Sequence, residues 1–210
     1  MTPSGDELRR AFGDIDIYLF DQLARGRFDR RHRVLDAGCG DGRNLVWFLR
    51  NGFTCFGIDR DGAAIAQVRA LATRLAPATP LAHFVTGEID DLPWPDGSMD
   101  GVIASAVLHF VRDEPHFARI VQELWRVLAP GGLLFARLAS TIGLEAVLGP
   151  VAGTRVRLPD GSDRFVVDLA MLQDWTERLN GRLIDPIKTT NVQGERCMTT
   201  WCVEKNALRT

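Results

Sequence analysis

The 210-residue sequence predicts an α/β fold: a Rossmann-like, mostly parallel sheet with helices on both faces. Three observations carry this. Short apolar runs with β-type composition alternate with helical-period runs through the first two-thirds of the chain. The segment V-L-D-A-G-C-G-D-G-R-N, Val34 to Asn44, ends an apolar strand on an acid, breaks on closely spaced glycines and restarts as a helix. A second apolar run, C-F-G-I-D, ends on another acid, Asp59, about 20 residues beyond that loop.

Taken in order, strands are expected over 33–37, 54–58, 82–86, 101–105 and 133–138, separated by helices over 43–51, 63–75 and 115–128. Asp61 is placed to cap the second helix, and A-P-G-G after Leu128 stops the third. Beyond Ser140 the pattern loosens. Pro159-Asp160-Gly161 between two alternating runs predicts a hairpin at about 154–167. A helix over 169–179 and strands over 183–189 and 196–204 follow. The length fits a single domain over 1–210, read as a helical cover (1–30), a ligand-binding half (31–139) and a substrate-side half (140–210). No internal repeat or low-complexity segment interrupts it.

With 25 basic and 27 acidic residues and a net charge of −2, nothing in the composition points to nucleic acid or an anionic membrane. The start lacks the apolar run of a secretion signal, and no stretch approaches the ~20 apolar residues of a membrane span, so a cytoplasmic protein is expected. Cys39, Cys55, Cys197 and Cys202 form no C-x-x-C pair. No metal site is expected, and the cysteines read as small buried hydrophobes.

The glycine loop brings backbone N–H groups close to a ligand and aims a helix N-terminus at it. Its spacing departs from the dinucleotide fingerprint, because the sixth position is Arg43 and not glycine. Asp36 would repel a diphosphate and suits a cationic ligand group. On these residues D-A-G-C-G-D-G resembles the first motif of the class I S-adenosylmethionine-dependent methyltransferases. The resemblance implies seven strands with the last antiparallel, and S-adenosylmethionine as cofactor. Gly38, Cys39 and Gly40 would lie against its methionine part, and Asp36 would hold its ammonium.

Asp59 is placed to accept from a ribose diol, with Arg60 beside it contributing backbone or aliphatic stem. The segment G-E-I-D-D-L-P-W-P-D-G resembles the family's adenine-covering stretch, which implies Glu88 on the adenine amino group and Ile89 in apolar contact, with Asp90 competing. Trp94 reads as a plug at the core edge. Ser105, at the carboxyl end of the fourth strand, should approach the cofactor.

One helical turn beyond Ser105, His109 is a candidate general base, with a pocket-lining role as the alternative. Arg137 near the end of the fifth strand, with Arg155, Arg157 and Arg164 on the hairpin, would clamp an anionic substrate if they converge. The apolar run around Tyr18 either lies over the cofactor as a lid or packs at the sheet edge. Cys197 reads as structural, with a pocket thiol as the alternative. The expected reaction is direct methyl displacement onto a small-molecule acceptor, either anionic or a soft nucleophile. The G-R-N ending of the motif resembles the tellurite-resistance methyltransferases. An NAD-dependent oxidoreductase and a catalytically silent S-adenosylmethionine-binding protein remain as alternatives.

Overall fold

The computed structural model describes residues 4–207. Helices α1 (Gly5–Phe12) and α2 (Ile17–Ala24) precede β1 (Arg33–Ala37), α3 (Val46–Arg50), β2 (Thr54–Asp59), α4 (Gly62–Leu75), β3 (Phe84–Thr86) and β4 (Met99–Ser105). Then come α5 (Glu114–Val127), β5 (Leu128–Ser140), α6 (Glu145–Leu148), β6 (Thr154–Arg157), β7 (Asp163–Val166) and α7 (Leu169–Arg178). Strands β8 (Gly181–Leu183), β9 (Lys188–Val192) and β10 (Arg196–Lys205) close the fold. The main sheet has eight strands, in the order β3-β2-β1-β4-β5-β10-β8, with β9 also paired to β10. β1 to β5 are mutually parallel, and β10 runs antiparallel to β5, β8 and β9.

Alternation along the strands sorts side chains between two cores. Leu35, Val102, Ala104, Leu134, Ala136 and Leu138 pack on one face with Phe117, Leu124, Leu172 and Trp175 of α5 and α7. Val34, Ile103, Leu133 and Phe135 pack on the other with Leu19, Phe48 and Val68 of α2, α3 and α4. The buried positions Phe117, Ile120, Val121 and Leu124 give α5 the i, i+3, i+4, i+7 stripe of a helix laid on a sheet.

Four expectations need correction. The helix over 43–51 shrinks to Val46–Arg50, because Gly42 has φ +86° and the chain from Gly38 to Leu45 is a series of turns. No long helix therefore aims its N-terminus at the glycine loop. Residues 81–83 form a 3₁₀ turn rather than strand, since His83 N–H closes back on the Pro80 carbonyl. The strand over 133–138 starts at Leu128, with A-P-G-G bulged between the Leu128–Met99 and Leu133–Gly101 pairs and Gly131 at φ +76°. The strand over 183–189 breaks into β8 and β9 around Pro186, which has no N–H for the ladder, so the sheet has eight strands and not the expected seven. The hairpin, the Asp61 cap on Ala63 N–H and the antiparallel last strand are as expected.

Among the described residues no helix is long and apolar enough to cross a membrane, and no group of three or more His, Cys, Asp or Glu side chains is arranged to hold a metal.

The segment after α2 is anchored by Phe28, which is 1% exposed, stacks edge-on to Phe48 at 5.1 Å and fills the space left by Gly101, where a Cβ would come within 2.8 Å of its ring. Phe28→Ala is expected to cost about 3–5 kcal/mol, read from the midpoint of urea unfolding.

Candidate functional site

The chain runs outward from β1 to β2 and β3, then returns to place β4 on the other side of β1. Loops leaving β1 and β4 therefore part in opposite directions and open a crevice at the strands' carboxyl ends. A cavity of about 250 Å³ lies there, lined by Gly38, Asp59, Arg60, Glu88 and Ile89, with Ala106, Val107, Phe110, Val111, His116 and Ile120 opposite. Gly38 N–H and Cys39 N–H both donate to the Ile58 carbonyl, folding the loop back on β2. Gly38 has φ +76°, and a Cβ there would meet Val107 Cγ2 at 2.5 Å. Asp59 Oδ2 accepts from Gly40 N–H at 2.9 Å and Oδ1 from Asp61 N–H at 3.0 Å, which fixes the carboxylate at the cavity wall.

Asp36 does not line this cavity. It lies behind it, 1% exposed, with Oδ2 buried and unpartnered. Burial pushes its carboxyl up to about 7, against the pull of the Arg43 guanidinium and with Asp59 and Asp16 adding repulsion. The Arg43 pull does not offset the burial, so the carboxyl remains short of positive charge. Asp36, Ser105 and Arg137 follow Val34, Ile103 and Phe135 in alternation, so all three project from one face at the ends of adjacent strands, with Ser105 and Arg137 direct register partners.

Asp16, the cap of α2, is inserted over them. Its Oδ1 accepts from Tyr18 N–H at 2.9 Å, while Oδ2 accepts from Ser105 Oγ at 2.8 Å and from Arg137 at 3.3 Å. Its own N–H donates to Asn44 Oδ1, and Arg43 bonds the Asp14 carbonyl and reaches Ser105 Oγ at 3.5 Å. Ser105 thus holds the N-terminal segment and is absent from the cavity lining, contrary to the expectation that it approaches the ligand. Tyr18 stacks its ring under Arg137 at 4.9 Å and bonds Thr190 through its hydroxyl, which sets α2 over the carboxyl ends of β4 and β5.

A second cavity of about 250 Å³ adjoins the first and shares Ala106 with it. His109, Arg137, Arg164, Arg196, Asp160 and Cys197 lie in its wall. Ala106 has φ +60°, an outlier for a residue with a Cβ, and its N–H is tied to the Arg137 carbonyl. His109 is 5% exposed with Nδ1 unpartnered, and burial, with Arg164 and Arg137 nearby, lowers it to about 4. It is neutral at physiological pH.

Of the four arginines expected to converge, Arg137 and Arg164 reach this wall. Arg155 instead donates to the Phe110 and Val111 carbonyls, and Arg157 is exposed beside Asp163. Cys39 is a buried core residue against Gly57, and Cys197 is buried yet lines the second cavity. Asp90 pairs with His116 and Arg119 at 3.5 and 3.6 Å, which leaves Glu88 and Ile89 at the first cavity. Trp94 packs edge-on to Phe56 at the core margin.

Sequence reasoning missed Asp16, His116 and Arg196. The i, i+4 spacing of His116 and Ile120 on α5 was the available signal for one of them. Asp16 and Arg196 carried none, because each arrives from a segment remote in sequence.

Gly38→Ala is expected to destabilise the protein by about 1–3 kcal/mol through the Val107 clash and the left-handed backbone. Adding Val107→Ala should recover the clash component but not the backbone component in chemical unfolding.

Residues 35–136 match a family model described as a methyltransferase domain. A probable S-adenosylmethionine-dependent methyltransferase of Mycolicibacterium smegmatis is 33% identical over 121 residues, covering 56% of this chain and 43% of that protein. The chain thus spans less than half the length of that relative. Among solved structures, the PH0226 protein of Pyrococcus horikoshii superposes with TM-score 0.68 at 16% identity over 97% of this chain and 93% of that one. A Burkholderia thailandensis 1,6-didemethyltoxoflavin-N1-methyltransferase, crystallised with 1,6-didemethyltoxoflavin and S-adenosylhomocysteine, gives 0.70 at 15% identity over 96% and 82%. Residues 35–136 therefore belong to the methyltransferase domain family, and the chain folds as the class I S-adenosylmethionine-dependent methyltransferases do.

Proposed function

We propose that this chain moves a methyl group from S-adenosylmethionine to a small-molecule acceptor held in the second cavity, the whole chain acting as one domain. The observation that carries this is the meeting of two cavities at Ala106, one beside a buried, cation-deficient carboxylate and the other lined by acceptor-sized walls. The Burkholderia neighbour, whose structure holds a small acceptor together with the demethylated cofactor, supports the same division of space. A cytoplasmic site of action accords with the four cysteines, all free.

The residues fit the cofactor. Asp36 lacks the cation that an amino-acid ammonium provides, and Gly38 leaves room that a Cβ would close. When bound, the cofactor supplies a methyl group already activated by positively charged sulfur. The chain's own residues then bind and orient. Asp59 receives the ribose hydroxyls, with Arg60 alongside; Glu88 and Ile89 receive the adenine; the backbone of Gly38 to Gly40 faces the methionine part. Val111 and Ile120 supply apolar wall and exclude water. His109 is a hydrogen-bonding group toward the acceptor, because burial, with two guanidiniums nearby, keeps it neutral. Arg43 and Asn44, which carry the likeness to the tellurite-resistance enzymes, are engaged with Asp14, Ser105 and Asp16, so they support the local loop rather than a choice of acceptor.

An NAD-dependent oxidoreductase is disfavoured by Asp36, since a diphosphate would bring more negative charge to a carboxylate already short of a cation. Calorimetry separates the readings: S-adenosylhomocysteine binds and NAD does not. The free carboxyl, raised to about 7, is largely protonated at pH 6, and an adjacent ammonium lowers it. Binding of S-adenosylhomocysteine at pH 6 is therefore expected to release close to one proton, seen as a dependence of the binding heat on buffer ionisation enthalpy. Affinity should rise from pH 5 to about pH 7 and then level off. Asp36→Asn should abolish both effects; if it leaves them intact, Asp36 is not the ammonium partner. His109→Ala is expected to lower kcat with saturating acceptor by about tenfold or more while leaving the affinity for S-adenosylhomocysteine within about twofold.

A further inference from the structure

The second cavity has an electrostatic character of its own. Three guanidiniums, those of Arg137, Arg164 and Arg196, stand in or around its wall, and they come from β5, β7 and β10. Two carboxylates oppose them. Asp160 lies 3.7 Å from Arg196 and also accepts from Ser162 through its N–H and hydroxyl; Asp16 reaches Arg137 at 3.3 Å from outside the cavity. Arg164 has no carboxylate within 4.0 Å among the described residues. It is held over the Phe110 ring at 4.8 Å and by the Asp163 carbonyl, contacts that fix its position without a paired carboxylate, while Asp160 acts on it from farther off.

Two further polar atoms belong to the same wall. Arg137 Nε and His109 Nδ1 are buried without partners. Burial, with Arg164 and Arg137 nearby, lowers the basicity of His109 in this wall. The remaining wall is apolar or weakly polar, from Ala139, Leu158, Val192 and Met198.

We propose that the second cavity is a carboxylate-recognition site, so that the acceptor is a compact, largely apolar monocarboxylate whose anionic end is gripped by Arg164 and Arg196 with Arg137 behind. The inference rests on the methyltransferase reading for the word acceptor alone; the anion site stands on the residues themselves. One positive charge in excess matches a monoanion, and a dianion would reverse the sign of the site. Guanidinium forks donate two parallel hydrogen bonds to a carboxylate, which gives orientation as well as attraction. Phe110 couples the two sites physically, because it lines the first cavity while its ring face carries Arg164. An anion seated on Arg164 thus lies next to the wall that separates acceptor from cofactor.

The test is titration calorimetry on the full chain, first with S-adenosylhomocysteine and then, with and without it, with benzoate, 3-phenylpropionate, phenyl phosphate, benzamide and benzylamine. At least one carboxylate is expected to bind with Kd of about 1 mM or better and at least about tenfold tighter than benzamide. Arg164→Gln and Arg196→Gln should each weaken that carboxylate by about tenfold, while leaving the affinity for S-adenosylhomocysteine within about twofold. The proposal is overturned if neither carboxylate binds, if benzamide or benzylamine matches them, if phenyl phosphate exceeds them, or if both substitutions leave carboxylate affinity unchanged. Loss of S-adenosylhomocysteine binding in the unsubstituted protein would sink the methyltransferase reading instead, and the carboxylate titrations without it would still decide the anion site.

Discussion

The reversal of strand order between β1 and β4 is the constraint on which the rest of this structure depends. Parallel neighbours need crossover connections, and those leaving β1 and β4 go to opposite sides of the sheet. The gap between them cannot be closed by either loop. Gly38 and Ala106 sit at its two lips, and both adopt left-handed backbone conformations there. For Gly38 the left-handed turn costs little. For Ala106 it is a strain that the surrounding structure sustains, through a hydrogen bond to the Arg137 carbonyl and a position between two cavities.

Electrostatics divides the region above the gap into two unlike halves. On one side Asp36 is buried and short of positive charge; on the other Arg137, Arg164 and Arg196 are in excess over nearby carboxylate. Asp16 lies on the boundary, bonded to Ser105 and Arg137 and tied through its backbone to Asn44. A carboxylate brought in by the N-terminal segment therefore compensates part of the arginine charge while adding to the repulsion that Asp36 experiences. The same contacts attach α2 to the sheet, so the charge balance of both cavities depends on an element outside the cofactor-binding half.

Much of the architecture was legible in local pattern. The continuous buried run from Val34 to Ala37, the stripe from Phe117 to Leu124 and the cap at Asp61 are short-range consequences of side-chain direction and hydrogen bonding, which a sequence carries directly. The failures were equally physical. Gly42 replaced the start of a helix with turns, Pro186 split a strand, and the early start of β5 ahead of A-P-G-G depended on pairing of Leu128 with Met99 rather than on local preference.

The site follows the same division. Asp36 and Asp59 stand at the ends of β1 and β2, and Gly38, Glu88 and Ile89 follow β1 and β3 in loops, so their neighbourhood was implied once the strands were assigned. By itself the sequence determined the α/β class, the order of the parallel strands' sources and the acids that follow them, because each depends on a window of a few residues. Only the tertiary structure decided that Asp16 bonds Ser105, that Arg196 joins Arg137 and Arg164, and that Arg155 and Arg157 stay outside. Those outcomes hang on which distant segments share space, and electrostatic partners acting across tens of residues of chain leave no periodic trace along it.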